Sequence, residues 1–101
     1  MKRLVIVAAL REGAEGQAAD LLERGAPFTP GETALDRHAV YAAPGSVVFV
    51  FEGPDVEATV DDLASDFLQP RVRDAIEEWT PLLAGEPRVA RELFFWQRSD
   101  P

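Results

Sequence analysis

The sequence predicts an α+β domain in the order β-α-β-β-α-β, and three observations carry that reading. Four short runs are rich in β-branched or aromatic residues, two of the intervals between them place apolar residues at helical spacing, and Pro/Gly clusters punctuate the rest. At 101 residues the chain has room for one domain, spanning 1–101.

Arg3–Leu10 is too short and too rich in valine and isoleucine for a typical helix, so it reads as the first strand. Both of its faces are apolar: Val5, Val7 and Ala9 on one, Leu4, Ile6 and Ala8 on the other. Glu12–Arg24 reads as a helix, with Ala14, Ala18, Leu21 and Leu22 inward and Glu15, Asp20 and Glu23 outward. Gly25 is placed to stop it. The two prolines and the glycine of Ala26–Glu32 mark a loop.

Thr33–Ala42 reads as the second strand, with Leu35, Arg37, Ala39 and Tyr41 on one face and Asp36, His38 and Val40 on the other. A turn at Ala43-Pro44-Gly45 leads into the third strand, Ser46–Glu52, so the two form a hairpin. Here too both faces are apolar, Val47, Phe49 and Phe51 opposing Val48 and Val50.

Asp55 is the expected N-cap of a helix that carries Val56, Val60, Leu63 and Phe67 inward. Pro70 interrupts it and suits the first turn of a second piece holding Val72, Ala75, Ile76 and Trp79. Pro81, Gly85 and Pro87 end helical structure, and Val89–Arg98 reads as the fourth strand, Leu93 and Phe95 opposing Phe94 and Trp96. Ser99–Pro101 is expected to fray. The whole is the ferredoxin-like pattern: a four-stranded antiparallel sheet with its helices on one face.

That architecture leaves one sheet face without helices, yet the first, third and fourth strands are apolar on both sides. Each large apolar side chain taken out of water is worth ~1.5–3 kcal/mol, and exposed patches of this size mark interaction surfaces. The expected cover is a second copy, sheet on sheet, in a twofold homodimer. An apolar ligand or an accessory C-terminal element is the alternative cover.

Composition narrows the function. No cysteine is present, so disulfides, thiolate metal sites and a cysteine nucleophile are excluded, and one histidine excludes multi-imidazole sites within a chain. A net charge of −8, from 10 basic and 18 acidic residues, argues against nucleic acid and anionic membranes as partners. RNA-recognition domains share the element order, but the run Val47–Phe51 lacks their basic and glycine residues. Met1-Lys2-Arg3 before an apolar run resembles a signal peptide. Arg11-Glu12 ends that run too early, with no small-residue cleavage site, so a cytoplasmic location is expected. No phosphate-cradling glycine loop, GxSxG elbow or HExxH occurs, and the carboxylate pairs Asp61-Asp62 and Glu77-Glu78 read as solvated helix surface rather than a metal site.

The element order, the two-sided apolar strands, the interrupted helix ending in Glu78-Trp79-Thr80-Pro81-Leu82 and the aromatic Leu93–Trp96 together resemble the dimeric α+β barrel superfamily. That superfamily includes antibiotic-biosynthesis monooxygenases, small aromatic polyketide cyclases, EthD-like proteins and stress-responsive barrel proteins. The resemblance spans Leu4 to Trp96. It implies a homodimer with a ligand-sized cavity in each subunit, and action on small or polycyclic aromatic molecules without a metal or organic cofactor.

His38 is the candidate catalytic group, because an imidazole ordinarily titrates near pH ~6.5 and serves as general acid or base. Asp36, two residues away on the same expected face, is the candidate orienting group. The competing role for His38 is that of a hydrogen-bonded histidine within the sheet or interface. Candidate ligand contacts are Phe28 in the Pro27–Pro30 loop, Arg37 with its planar fork, Tyr41, and the flat indoles of Trp79 and Trp96. Against these stand bland roles: loop anchor for Phe28, surface salt bridge for Arg37, core packing for the tryptophans. Two functions follow: a cofactor-free oxygenase, cyclase or isomerase acting on an apolar or aromatic substrate, or a non-catalytic dimeric ligand-binding or interaction module.

Overall fold

The computed structural model describes residues 2–25, 29–65 and 70–98. Its elements run β1 (Lys2–Ala9), α1 (Glu15–Glu23), β2 (Arg37–Ala43), β3 (Ser46–Gly53), α2 (Val56–Ser65), α3 (Pro70–Trp79) and β4 (Arg88–Ala90). Short 3₁₀ turns occupy Pro30–Glu32 and Thr80–Leu82. The strands form one antiparallel sheet in the order β2-β3-β1-β4, the ferredoxin-like arrangement expected from the sequence. Phe28, Phe67 and Ser99–Pro101 lie outside the described residues.

The register sorts the side chains into two faces. His38, Phe51 and Leu4 share one row, and Val40, Phe49 and Ile6 share the next. Ala8 and Val47 make a third row, fully buried. On this side Val47, Phe49 and Val40 pack with Ala14, Ala18 and Leu21 of the α1 region and Trp79 of α3, and this is the core. The opposite face carries Val5, Val7, Val48, Val50 and Ala39, all half-buried, with Tyr41 61% exposed. No described helix packs on it.

Three boundaries differ by three residues or more from the sequence expectation, and several others by one. Helix α1 begins at Glu15 rather than Glu12, because Gly13 takes a left-handed φ of +84° and Ala14 N–H bonds back to the Arg11 carbonyl at 3.0 Å, making a turn. Strand β2 begins at Arg37 rather than Thr33. The Pro30–Glu32 turn and the Thr33 hydroxyl, which accepts the Leu35 N–H at 3.1 Å, keep that stretch out of the ladder. Strand β4 ends at Ala90 rather than Arg98. Val5 faces Ala90, so the same register carried on would exhaust β1 at Lys2 opposite Leu93. The following residues have no strand of their own chain to join, and Leu93, Phe94, Phe95 and Trp96 are 82%, 84%, 51% and 64% exposed. The arm touches the amino end of the open face through Arg3, whose guanidinium lies 4.6 Å from the Phe95 ring centre and pairs with Glu92 at 2.9 Å.

At the carboxyl end of β3, Gly53 is buried where the backbone of Ala34–Leu35 crosses. A Cβ there would stand 2.9 Å from the Ala34 carbonyl oxygen, closer than real Cβ atoms approach. Gly53→Ala is expected to lower stability by about 1–3 kcal/mol, the usual range for forcing atoms into packed space. Urea unfolding at fixed protein concentration checks it, and an unchanged midpoint would mean that the crossing segment yields without cost.

Candidate functional site

Between the core face of the sheet and the three helices lies a cavity of about 1010 Å³, at the upper end of the range for small-molecule sites. Leu21 and Leu22 of α1, Val60 of α2, and Ala75, Ile76 and Trp79 of α3 wall it on one side, with Ile6, Val40, Phe49 and Phe51 on the other. The wall is largely apolar because both layers turn their hydrophobic stripes toward it. Phe49 and Trp79 meet edge to face, ring centres 5.7 Å apart and planes at 80°, which fixes the indole.

His38 lines this cavity from β2, half-buried. Its ring stacks on Phe51 at 4.5 Å between centres, with 20° between planes. Nδ1 lies 3.0 Å from the Val50 carbonyl oxygen. A carbonyl can only accept, so Nδ1 donates, and in the neutral ring Nε2 carries the lone pair. The imidazole is thus held from below and from the side in one tautomer, the arrangement a proton-transfer group requires.

The remaining sequence-predicted residues are dispersed. Trp79 lines the cavity with His38. Asp36 is exposed, precedes β2, and gives its backbone N–H to the Glu52 carbonyl at 2.7 Å; among the described residues no hydrogen bond joins its carboxylate to His38. Tyr41 and Arg37 belong to the opposite face of β2. Arg37 Nε approaches the buried Glu52 carboxylate at 3.8 Å, and Arg3 binds the same carboxylate directly. Hydrogen bonding to Glu52 first, with the Coulombic pull of Glu52 and Glu92 behind it, pushes the Arg3 guanidinium up from its ordinary range despite partial desolvation. Trp96 sits on the exposed C-terminal arm with the Arg98 guanidinium 5.1 Å from its ring centre.

Three polar cavity residues were not singled out from the sequence: Arg11, Thr80 and Glu86. Thr80 spends its hydroxyl proton on the Ile76 carbonyl at 2.7 Å. Arg11 had one local signal, as the first charge after an apolar strand, at that strand's carboxyl end. Among the described residues no group of three or more His, Cys, Asp or Glu side chains is placed to hold a metal ion, and no helix is long and apolar enough to cross a membrane.

A sheet with helices on one face and a ligand-sized cavity between the layers defines a class of small α+β proteins built around an apolar pocket. Solved structures match this chain in fold. Tetracenomycin F2 cyclase of Streptomyces glaucescens, a type-II polyketide cyclase, superposes with a TM-score of 0.69 over 98% of this chain and 100% of its own, at 13% identity. An antibiotic biosynthesis monooxygenase matches at 0.62 over 89% and 94%, with 16% identity. A NIPSNAP-family protein of unknown function from Agrobacterium tumefaciens matches at 0.61 over 87% and 84%, with 14% identity. The chain has the ferredoxin-like α+β fold these proteins share, a four-stranded antiparallel sheet with helices. At these identities the likeness is one of fold. No protein-family model matches the sequence, and neither does any curated protein.

Proposed function

We propose that this protein is a homodimer whose subunits each bind an apolar, aromatic-sized molecule in the cavity and act on it by proton transfer through His38, without a metal or organic cofactor. One observation carries the reading: the single histidine of the chain lines an apolar cavity and is held there in a defined tautomer by Val50 and Phe51. A base in such surroundings can remove a proton from a weakly acidic carbon. The fold-mates described as a cyclase and a monooxygenase support a small-molecule role.

The homodimer is supported by the apolar face that the helices leave uncovered and by the four exposed apolar side chains of the C-terminal arm. Buried together against a second copy, these surfaces leave water.

The test uses anthrone, a flat tricyclic ketone with an acidic CH₂ group. In D₂O the protein is expected to accelerate hydrogen–deuterium exchange at that carbon, and His38→Gln is expected to lower the acceleration by about a hundredfold, the scale of general-base catalysis. Binding, followed by the protein's own fluorescence, should change little. Exchange equal in the two proteins would overturn the role of His38. Saturable binding with no acceleration by either would leave a binding module in place of an enzyme, the reading favoured by the position of Asp36 away from the imidazole.

A further inference from the structure

Cavity polarity is concentrated in a few groups, and they are not mixed. His38 shares the row of Leu4 near the amino end of β1, whereas Arg11 lies two residues past the carboxyl end of that strand. At ~3.3 Å per residue, the rows of Leu4 and Leu10 are about 20 Å apart along the strand. Between them the wall is apolar.

Arg11 is fixed at its end by its own backbone and by its side chain. Its N–H donates to the Leu82 carbonyl at 2.8 Å, its carbonyl accepts from Ala14 at 3.0 Å, and its Nε donates to the Leu83 carbonyl at 2.9 Å. Leu10 and Leu83 form a bridge beside it, tying the end of β1 to the turn that follows α3. One nitrogen is therefore used to orient the guanidinium, and the two terminal nitrogens remain to bind something else. Among the described residues no carboxylate lies within ion-pair distance of them, in a chain with 18 acidic residues against 10 basic. Glu86 lines the same cavity but forms no ion pair with Arg11. Arg11 is the one cation among the described lining residues.

We infer that Arg11 is the anion anchor of the cavity, and that the ligand is an apolar aromatic molecule carrying one acidic group at the end lying against the carboxyl terminus of β1. A guanidinium held by its Nε presents its remaining N–H groups as a planar fork, which suits a carboxylate, sulfonate or phenolate oxygen. The chain's net charge of −8 repels anions at long range, so such a ligand needs a local cation to be held. With its acidic end on Arg11, the apolar body runs along Phe49 and Trp79 toward His38. This inference rests on the cavity being the ligand site.

Two dyes of nearly the same shape separate the claims: 1-anilinonaphthalene-8-sulfonate, an anion, and uncharged N-phenyl-1-naphthylamine. Both are titrated by fluorescence into the full chain, into Arg11→Gln and into Ala75→Trp, which fills the cavity from α3. Leu21→Trp fills it from α1 and stands in should Ala75→Trp not fold by circular dichroism. The Arg11→Gln change is expected to weaken the sulfonate by about tenfold or more, as for loss of a hydrogen bond to a charged group, and to leave the neutral dye within about twofold. Both dyes are expected to lose saturable binding when the cavity is filled. If filling the cavity displaces both dyes but Arg11→Gln weakens them equally or not at all, the anchor is overturned and the cavity stands. Should filling the cavity leave both dyes bound, they sit elsewhere, and the ligand site falls together with its anchor.

Discussion

Val50→Glu is expected to convert the proposed homodimer to single chains. Val50 lies mid-sheet on the open face, opposite Val5 of β1 and Ala39 of β2, so a sheet-on-sheet contact brings it near the centre of the interface. A glutamate there places one carboxylate per subunit in an apolar contact, with like charges approaching across the twofold axis. Leaving a charge buried and unpaired costs several kcal/mol, more than a modest interface has to spare. The monomer itself should fold normally, because the open face is already half in water. Light scattering at micromolar concentration should give twice the chain mass for the natural protein and one chain mass for Val50→Glu. A natural protein that scatters as one chain would remove the dimer from the proposal. A variant that stays at twice the mass would remove the open sheet face as the contact between the two chains.

Phe51→Ala is expected to be the most damaging truncation on the cavity side. Phe51 is 8% exposed and lies between Leu4 and His38 in its row, with the imidazole stacked on it. Phenylalanine-to-alanine changes in packed interiors cost about 3–5 kcal/mol through lost burial and the void left behind. Against a typical total of about 5–15 kcal/mol, that is a large share. Urea unfolding must be compared at one protein concentration, because association adds to the apparent stability. The same variant removes the ring that supports the imidazole, so exchange at the anthrone carbon should fall even at urea concentrations where the fold persists. A loss of less than about 1 kcal/mol would mean that neighbouring side chains close the gap. Phe51 would then not hold His38 in place.

Much of the fold was legible because it is written in local periodicity. The alternation of Leu4–Ala9 and of Val47–Phe51 announces strands apolar on both faces, and the three- and four-residue spacing of Ala14, Ala18, Leu21 and Leu22 announces α1. What misled was structure held by partners elsewhere in the chain. The run Leu93–Trp96 has every local property of a strand, yet strands exist only in pairs, and β1 runs out of residues to pair with it. Thr33–Asp36 likewise continues an alternating pattern, but its backbone bonds go to a local turn and to Glu52 rather than along the ladder.

The candidate site divides in the same way. Alternation alone dictates that His38 and Val40 share one face of β2 while Arg37 and Tyr41 share the other, since successive side chains in a strand point to opposite sides. It does not say which face the helices cover, and that choice decides whether His38 or Arg37 meets the cavity. Tertiary packing made the choice by setting Val47, Phe49 and Val40 against α1 and α3. Arg11 shows the same limit more sharply: the sequence offers only a charge after a strand, while the carbonyls of Leu82 and Leu83, some seventy residues on, aim it. Side-chain period is a property of the local backbone and can be read in one dimension. The partner that a face, an edge or a guanidinium meets depends on contacts between distant residues, which come into being only when the chain folds.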